Sequence, residues 1–166
     1  MADITSEARV VSLDRPWPGD IPSRSGDLLD VVFGWADFTR LRRLVAGQCA
    51  AAGLSGSRLD DFVLAIHEIS ANAIVHAGAG GRLILQRAAN GLRCLIADHA
   101  PYGADESAAP GCRVPRARDG SEPPEPPEPD GAETGRGLWL AAQLADELSI
   151  TSGPESTIVS LYIRFD

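Results

Sequence analysis

The stretch that decides the fold is AIHEISANAIVHA, residues 65–77, which places a carboxylate, an amide and an imidazole in one line on a predicted helix, with Ile and Ala among the residues between them. Glu68, Asn72 and His76 follow one another at intervals of four residues, so an α-helix brings them to one side. Asn is a poor residue for a helix interior, and no Lys or Arg lies four residues from Glu68 to form an ordinary surface pair. The line therefore indicates a functional site, with a solvated helix flank as the alternative.

The same helix carries an apolar stripe, which predicts a face packed against a sheet. The periodicity predicts the helix over about 57–77, with Ser57 and Asp60 as a capping box at its start. The glycine-rich run GAGG, at 78–81, is the expected end of the helix. The apolar stripe consists of Leu59, Phe62, Ile66, Ile69 and Ala73.

The sequence before this helix predicts a strand and a first helix. Residues 28–35, LLDVVFGW, are apolar and partly β-branched, as expected of a strand. A helix follows and ends near Gly53. Its apolar side chains recur near helical spacing at Phe38, Leu41, Leu44, Val45 and Cys49.

The sequence after the second helix predicts a hairpin, a third helix and two closing strands. RLILQRA and LRCLIAD flank Asn90-Gly91, a dipeptide that favours a type I′ turn between antiparallel strands. GLWLAAQLADEL has helical periodicity, and SITSG and STIVSLYIRF have the composition of strands. The order β-α-α-β-β-lid-α-β-β predicts an α+β fold. This fold is a two-layer α/β sandwich whose mixed, mostly antiparallel sheet is covered on one face by helices.

The chain divides into a lead-in and one domain. Residues 1–26 are polar and rich in turn formers, which predicts a loose lead-in. Residues 27–166 form a single domain of ordinary size, with a Pro- and Glu-rich segment at 99–134 inside it. We interpret this segment as a lid, with a tolerated insertion as the alternative.

Composition excludes several classes of protein. The 166 residues carry a formal net charge of −8, which argues against binding to nucleic acid or to an anionic membrane surface. Since the chain has no Lys, it has neither a Walker A phosphate loop nor a Schiff-base lysine. Its three cysteines are too scattered for a zinc site or a disulfide framework. No signal peptide or long apolar run is visible, so we expect a cytoplasmic protein.

Two later motifs strengthen the prediction of a site at the polar line. Asp98 ends an apolar strand, where a carboxylate is unfavourable unless it points at a ligand. GRGL, at residues 135–138, opens a predicted helix, and its glycines let the backbone approach an anion at the helix N-terminus. Together with Glu68 and Asn72, these motifs are far more specific than any one of them alone.

In these motifs the sequence resembles the GHKL ATPase superfamily, which has the Bergerat ATP-binding fold, over about residues 28–165. EISANAIVHA resembles the N box of that superfamily, LIADHAPYG its first glycine box, GRGLWLAAQLAD its second, and STIVSLYI its terminal strand. Within the superfamily the chain is similar to bacterial anti-sigma factor serine/threonine-protein kinases, including the stand-alone ATP-binding regulators of actinobacteria. The resemblance implies ATP and Mg²⁺ as cofactors.

The resemblance also implies a role for each motif residue. Under it, Glu68 is the general base that activates the attacking hydroxyl, Asn72 ligates Mg²⁺, and Asp98 accepts a hydrogen bond from the adenine amino group. The second glycine box closes over the triphosphate. His76 has a second interpretation, as a helix-end side chain that caps carbonyls. The implied nucleotide contacts are Asn72, Ala73, His76, Asp98, Gly103, Gly135, Arg136, Gly137, Leu138 and Thr157.

The first glycine box departs from the D-x-G-x-G pattern of the superfamily, because Ala100 and Tyr102 replace both of its glycines. Three functions are therefore weighed: a protein kinase, a non-catalytic switch that sequesters a partner when nucleotide binds, and an adaptor that binds no nucleotide. Intact Glu68 and Asn72 favour the kinase, and the altered box favours the switch. The retained polar motif residues argue against the adaptor.

The implied partners are an anti-sigma factor antagonist, a sigma factor, or both. Arg40 and Arg43, on the exposed face of the first helix, are candidate contacts for an acidic partner, with ordinary solvated arginines as the alternative. Analogy with the family also suggests a homodimer. No nucleic-acid or membrane partner is expected.

Overall fold

The computed structural model of the chain describes residues 21, 24–77, 80–98, 133–152 and 156–166. The first twenty residues and nearly all of the predicted lid lie outside this description. Within it, no helix is long and apolar enough to cross a membrane. The elements are β1 (Asp27–Phe33), a 3₁₀ turn (Trp35–Asp37), α1 (Phe38–Ala51), α2 (Gly56–Ala77), β2 (Gly81–Ala88), β3 (Gly91–Asp98), α3 (Glu133–Leu144), β4 (Glu147–Ser152) and β5 (Thr157–Arg164).

The five strands form one sheet in the order β1-β2-β3-β5-β4. The predicted α+β sandwich and the predicted order of elements are confirmed. Every pairing among these strands is antiparallel, so the sheet is not the mixed one expected from the sequence. The reason is the path of the chain. After α3 the chain forms the edge strand β4, and β5 returns between β4 and β3, antiparallel to both.

The main core lies between the helices and one face of the sheet. Strand residues alternate between this core and the other face; in β5, every second residue from Thr157 to Ile163 is buried. The predicted apolar stripe of α2 is confirmed as the face that packs on the sheet. Its buried members are Phe62, Ile66, Ile69 and Ala73, and Leu59 packs against the same core.

The predicted β2–β3 hairpin is confirmed, but its turn lies one residue earlier than expected. Ala88 pairs with Gly91, which leaves Ala89 and Asn90 as the turn, and neither of them has a positive φ. A type I′ turn requires a positive φ at both central residues, so that prediction is wrong. A glycine is needed at position 91 for a reason other than the turn. A β-carbon on Gly91 would stand 2.0 Å from the carbonyl oxygen of Ile163 on β5.

Three boundaries also differ from the sequence prediction. Helix α2 begins at Gly56, so Ser57 is already inside it and cannot cap it. Trp35, expected to end the first strand, belongs to the 3₁₀ turn. Helix α3 begins at Glu133, so it includes the last two residues of the predicted lid, and it stops before the ADEL segment. There Asp146 binds the backbone of β5, and this contact turns the chain into β4.

The end of the lead-in is attached to the sheet face opposite the helices. Ile21 is 5% exposed and packs with Ile84 and Ala97 on that face. The Arg82 guanidinium pairs with Asp30 at 2.7 Å and also donates to the carbonyl oxygen of Ile21 at 3.1 Å. Ile21, near the end of the predicted lead-in, therefore contacts the sheet through its apolar side chain and through its carbonyl oxygen.

Candidate functional site

Helix α2 presents Glu68 and Asn72 at the edge of its buried stripe. Both side chains are half-exposed, whereas the residues that follow them, Ile69 and Ala73, are buried in the core. Because one helical turn separates Glu68 from Asn72, the carboxylate and the amide lie on the same side of α2. His76 lies in the last turn of the helix, and its side chain is outside the described part of the structure.

Helix α3 brings Gly137 directly onto this carboxylate–amide pair. A β-carbon on Gly137 would stand 3.3 Å from Nδ2 and from Oδ1 of Asn72, and 3.3 Å from Oε2 of Glu68. Such distances are already tight for a carbon atom, so the absence of a side chain is what lets α3 approach α2 here. Two motifs that are about 65 residues apart in the sequence thus form one contact.

The glycine motif lies inside α3 and does not precede it. The helix begins at Glu133, so Gly135, Arg136 and Gly137 occupy its first turn and the start of its second. This corrects the prediction that GRGL opens the helix. Glycine weakens a helix interior by only about 1 kcal/mol, a cost that packing of α3 against α2 offsets. The side chain of Arg136 is outside the described part of the structure.

The start of α3 has the properties of an anion-binding site. The first four N–H groups of an α-helix have no acceptor within the helix, and its dipole makes that end positive. In α3 these groups belong to residues 133–136, directly before the glycine that contacts Glu68 and Asn72. An anion bound at this helix end would have a carboxylate and an amide beside it.

A second group of predicted site residues lies where β3 and β5 meet. Asp98, the last residue of β3, pairs directly with Thr157, the first residue of β5. Thr157 is 1% exposed and Asp98 is half-exposed, so the hydroxyl is buried beside a carboxylate that is accessible from outside. The structure therefore brings the predicted residues together in two sets, one on the helices and one at this end of the sheet.

The other predicted site residues have different positions. Ala73 is 1% exposed in the core and Leu138 packs against the same core; their contact with a nucleotide stays a prediction. Gly103 lies outside the described residues. Arg40 and Arg43 are exposed on α1, a position that suits an acidic partner and an ordinary solvated surface equally.

Sequence reasoning missed His67. Its Nδ1 atom lies 3.8 Å from Oε1 of Glu68, and its ring packs on the ring of Phe38 with 4.4 Å between centroids. The signal in the sequence was the adjacency of His67 and Glu68. Adjacent residues on a helix point about 100° apart, so adjacency alone does not predict that the two side chains meet.

The residues present fit a Mg²⁺ ion that is coordinated mostly by phosphate oxygens and water and only partly by protein side chains. Among the residues that the structure describes, no group of three His, Cys, Asp or Glu side chains could hold a metal alone. Asn72 provides an amide oxygen there, with the Glu68 carboxylate beside it. Mg²⁺ is usually bound through one or two such groups together with phosphate oxygens and water. We therefore expect Mg²⁺ to enter this site with a phosphate ligand.

Comparison with known proteins agrees with this geometry. The family model of the histidine kinase-like ATPase domain matches residues 35–163, which is more than half of the chain. The matched span includes all three helices, the contact of Gly137 with Asn72, and the Asp98–Thr157 pair. No curated protein matches the chain.

Proposed function

Because the chain belongs to the histidine kinase-like ATPase family, we propose that it is an ATP-binding regulator that phosphorylates a serine or threonine of a partner protein. The observation that carries the proposal is the contact of Gly137 with Glu68 and Asn72. This contact joins a helix start that suits phosphate to a carboxylate that suits proton removal and an amide that suits a metal ion.

Each part of the site has one task in this proposal. The start of α3 binds the phosphates of ATP, and Asn72 offers its amide oxygen to Mg²⁺, which neutralises phosphate charge when bound. Glu68 accepts the proton of the attacking hydroxyl. Because phosphoryl transfer depends mostly on positioning and electrostatics, these few groups are sufficient.

The proposed base-recognition site is the end of β3. Asp98 accepts a hydrogen bond from the adenine amino group, and the buried Thr157 beside it completes the polar end of the sheet. A carboxylate that is half-exposed at a strand end can accept such a bond without the cost of burying an unpaired charge.

A second candidate function is a switch that binds nucleotide and a partner without transferring phosphate. The observation that favours it is the first glycine box, where Ala100 and Tyr102 stand in place of two glycines. A β-carbon at each position restricts how closely the backbone can approach a base. In this alternative, ATP changes partner binding and Glu68 has no proton to remove.

The proposed partner is an anti-sigma factor antagonist, a sigma factor, or both, in keeping with the motif resemblance, and the proposed location is the cytoplasm. Arg40 and Arg43 are the proposed contacts, because both are exposed on α1 and would complement acidic side chains. A homodimer is also part of the proposal.

The experiment that tests ATP binding is a calorimetric titration of the purified chain with Mg-ATP. We expect binding in the wild-type protein. We also expect Asp98→Asn to weaken it about tenfold to hundredfold, because a hydrogen bond to a charged group contributes about 1.5–3 kcal/mol. The matched control is Asp60→Asn, which changes an exposed carboxylate on α2 and should leave the affinity unchanged.

The outcomes of this titration separate the functions. Binding that is weakened by Asp98→Asn alone supports the proposed pocket and justifies a search for a phosphorylated partner. Equal affinity in all three proteins would place the nucleotide elsewhere. No binding at millimolar Mg-ATP would overturn both the kinase and the nucleotide-dependent switch, and would leave the adaptor that binds no nucleotide.

A further inference from the structure

The residue directly before the proposed base has an unusual polar environment. Nδ1 of His67 is buried and has no hydrogen-bond partner within the described part of the chain. The Glu68 carboxylate is an acceptor 3.8 Å away, too far for a hydrogen bond but close enough that a small rotation of either side chain would form one. Hydrogen bonds in catalytic sites are often long before substrate binds and shorten in the complex.

The imidazole ring is held in place from α1. The ring of Phe38, the first residue of α1, lies 4.4 Å from the His67 ring between centroids, with an angle of 38° between the two planes. Trp35 also packs against Phe38, with 6.2 Å between ring centroids. These ring contacts restrict large movements of the His67 ring, whose Nδ1 atom lies 3.8 Å from Oε1 of Glu68.

The two oxygens of Glu68 have different neighbours. Oε2 lies on the Gly137 side, 3.3 Å from where a β-carbon on that residue would stand, and Oε1 lies on the His67 side. A general base needs one lone pair aimed at the hydroxyl that it deprotonates. A hydrogen bond to one oxygen would fix the carboxylate plane and thereby aim the other oxygen.

We propose that His67 is a positioning residue, whose Nδ1–H donates a hydrogen bond to Oε1 of Glu68 and so orients this carboxylate for proton removal. The inference rests on the proposed kinase function, which it deepens. It requires that the proton of the neutral imidazole be on Nδ1, because an unprotonated Nδ1 is an acceptor and cannot bind a carboxylate.

Ser70 provides the competing arrangement. Its hydroxyl is also buried without a hydrogen-bond partner in the described residues, and it lines the same crevice between α1 and α2 as His67. If the Ser70 hydroxyl donated to Nδ1, the imidazole proton would be on Nε2 and no bond to Glu68 would form. The two arrangements differ in tautomer, which can be measured.

The first test is the tautomer of His67 in the wild-type protein. Long-range ¹H–¹⁵N correlation spectra distinguish Nδ1–H from Nε2–H, and loss of one set of signals in His67→Asn assigns the residue among the three histidines. We expect Nδ1–H. The Nε2–H tautomer would overturn the proposal. This readout does not depend on activity, so it stands even if the chain transfers no phosphate.

The second test is kinetic and uses two variants. His67→Asn keeps an N–H donor near the position of Nδ1, whereas His67→Leu keeps bulk and removes the donor. We expect the leucine variant to lose at least tenfold in kcat with little change in KM for ATP, and the asparagine variant to recover most of that loss.

The kinetic outcomes have distinct meanings. Equal kcat in all three proteins would show that no hydrogen bond from position 67 assists Glu68, and would overturn the proposal. An equal loss in both variants, together with a lower thermal midpoint in both, would indicate a purely structural role and also overturn it. If the wild-type protein binds Mg-ATP but phosphorylates nothing, the kinase proposal fails, while the tautomer still decides whether Nδ1 of His67 can donate to Glu68.

Discussion

Gly137 of α3 lies directly against Asn72 of α2, so that a β-carbon on the glycine would stand 3.3 Å from both terminal atoms of the amide. It would also stand 3.3 Å from Oε2 of Glu68. The same glycine therefore sets the distance between two helices and limits the positions of the two side chains that the proposed chemistry uses. The β-carbon position of Gly137 therefore matters both for the packing of α3 on α2 and for the proposed site.

The substitution Gly137→Ala should impair the site far more than the fold. Alanine gains up to about 1 kcal/mol in helix propensity, and crowding against Asn72 and Glu68 offsets that gain. We expect a free energy of unfolding within about 1 kcal/mol of the wild-type value, and at least a tenfold loss of Mg-ATP affinity, because both side chains must move. Chemical denaturation and calorimetric titration measure the two quantities.

The matched control for this substitution is Gly47→Ala. Gly47 is exposed within α1, and a β-carbon there would meet nothing within 4 Å. The Gly47→Ala substitution should raise the free energy of unfolding by about 0.5–1 kcal/mol and leave ATP affinity unchanged. If Gly137→Ala behaved in the same way, the contact with Asn72 and Glu68 would have no part in the site.

The substitution Glu68→Gln should separate catalysis from binding. It keeps the size and polarity of the side chain but removes its ability to take a proton. We expect transfer of phosphate to the partner to fall about 10²–10⁴-fold, while Mg-ATP affinity stays within about threefold of the wild-type value. A radiolabel transfer assay and a calorimetric titration give both numbers on one protein preparation.

Asp61→Asn is the control for Glu68→Gln, because Asp61 is another half-exposed carboxylate on α2 that has no proposed role. Asp61→Asn should change neither the rate of phosphate transfer nor the affinity for Mg-ATP. A variant Glu68→Gln that still transferred phosphate at the wild-type rate would exclude Glu68 as the base. One that lost ATP affinity to the same extent as transfer would show that Glu68 binds nucleotide instead.

Much of the fold was readable because its signals are periodic. The stripe ending at Ala73 has a helical period, the residues of β5 alternate, and both patterns follow from which side of an element faces the core. The pairing of Glu68 with Asn72 along α2 was equally accessible, since it depends only on helix geometry. Local rules of this kind need no knowledge of the neighbouring elements.

What could not be read from the sequence depends on contacts between elements. Gly91 looks like a turn residue, yet the structure needs it because β5 passes too close for any side chain. Gly137 likewise looks like a loop residue before a helix, but it lies within α3. A glycine suits this position because α2 approaches it closely. The His67 ring packs on Phe38, which is about 30 residues away in the chain, so this environment of His67 could not be read from its neighbours in the sequence.

The substitution Asp146→Ala should destabilise the fold. The side chain of Asp146 is 3% exposed and pairs with the guanidinium of Arg58 from the start of α2, and it accepts the backbone N–H of Arg164 at 2.7 Å. Removal of this carboxylate leaves the guanidinium of Arg58, which is itself largely buried, without the Asp146 side chain as its partner. We expect a loss of about 3–5 kcal/mol in the free energy of unfolding, measured by chemical denaturation.

Asp60→Ala, at an exposed position near the start of the same helix, is the control and should change stability by less than about 0.5 kcal/mol. The double variant with Arg58→Ala should be less destabilised than the sum of the two single changes, since both changes remove the same Arg58–Asp146 ion pair. A loss below about 1 kcal/mol for Asp146→Ala would show that the pair does not hold α2 to β5.

Stability should fall in alkaline solution because two thiols are buried in the core. Burial raises the pKa of Cys49 from 9.0 to about 12, and burial together with the nearby Cys49 raises the pKa of Cys94 well above its ordinary value. The unfolded chain therefore loses these protons near pH 9 while the native protein keeps them. Stability from this source is complete below pH 9 and decreases as the pH rises towards 12, by up to about 1.4 kcal/mol per pH unit for each thiol.

Urea denaturation of the wild-type protein and of Cys49→Ala, at about pH 8 and at several values up to about pH 10.5, measures this effect. The alanine variant should be less stable at pH 8, because it leaves space in the core, but its stability should fall less steeply with pH. The difference in slope matters, since tyrosines and other groups that titrate in this range contribute equally to both proteins. Parallel curves for the two proteins would mean that Cys49 ionises as easily in the native state as in the unfolded chain, contrary to the burial of its side chain on the core face of α1.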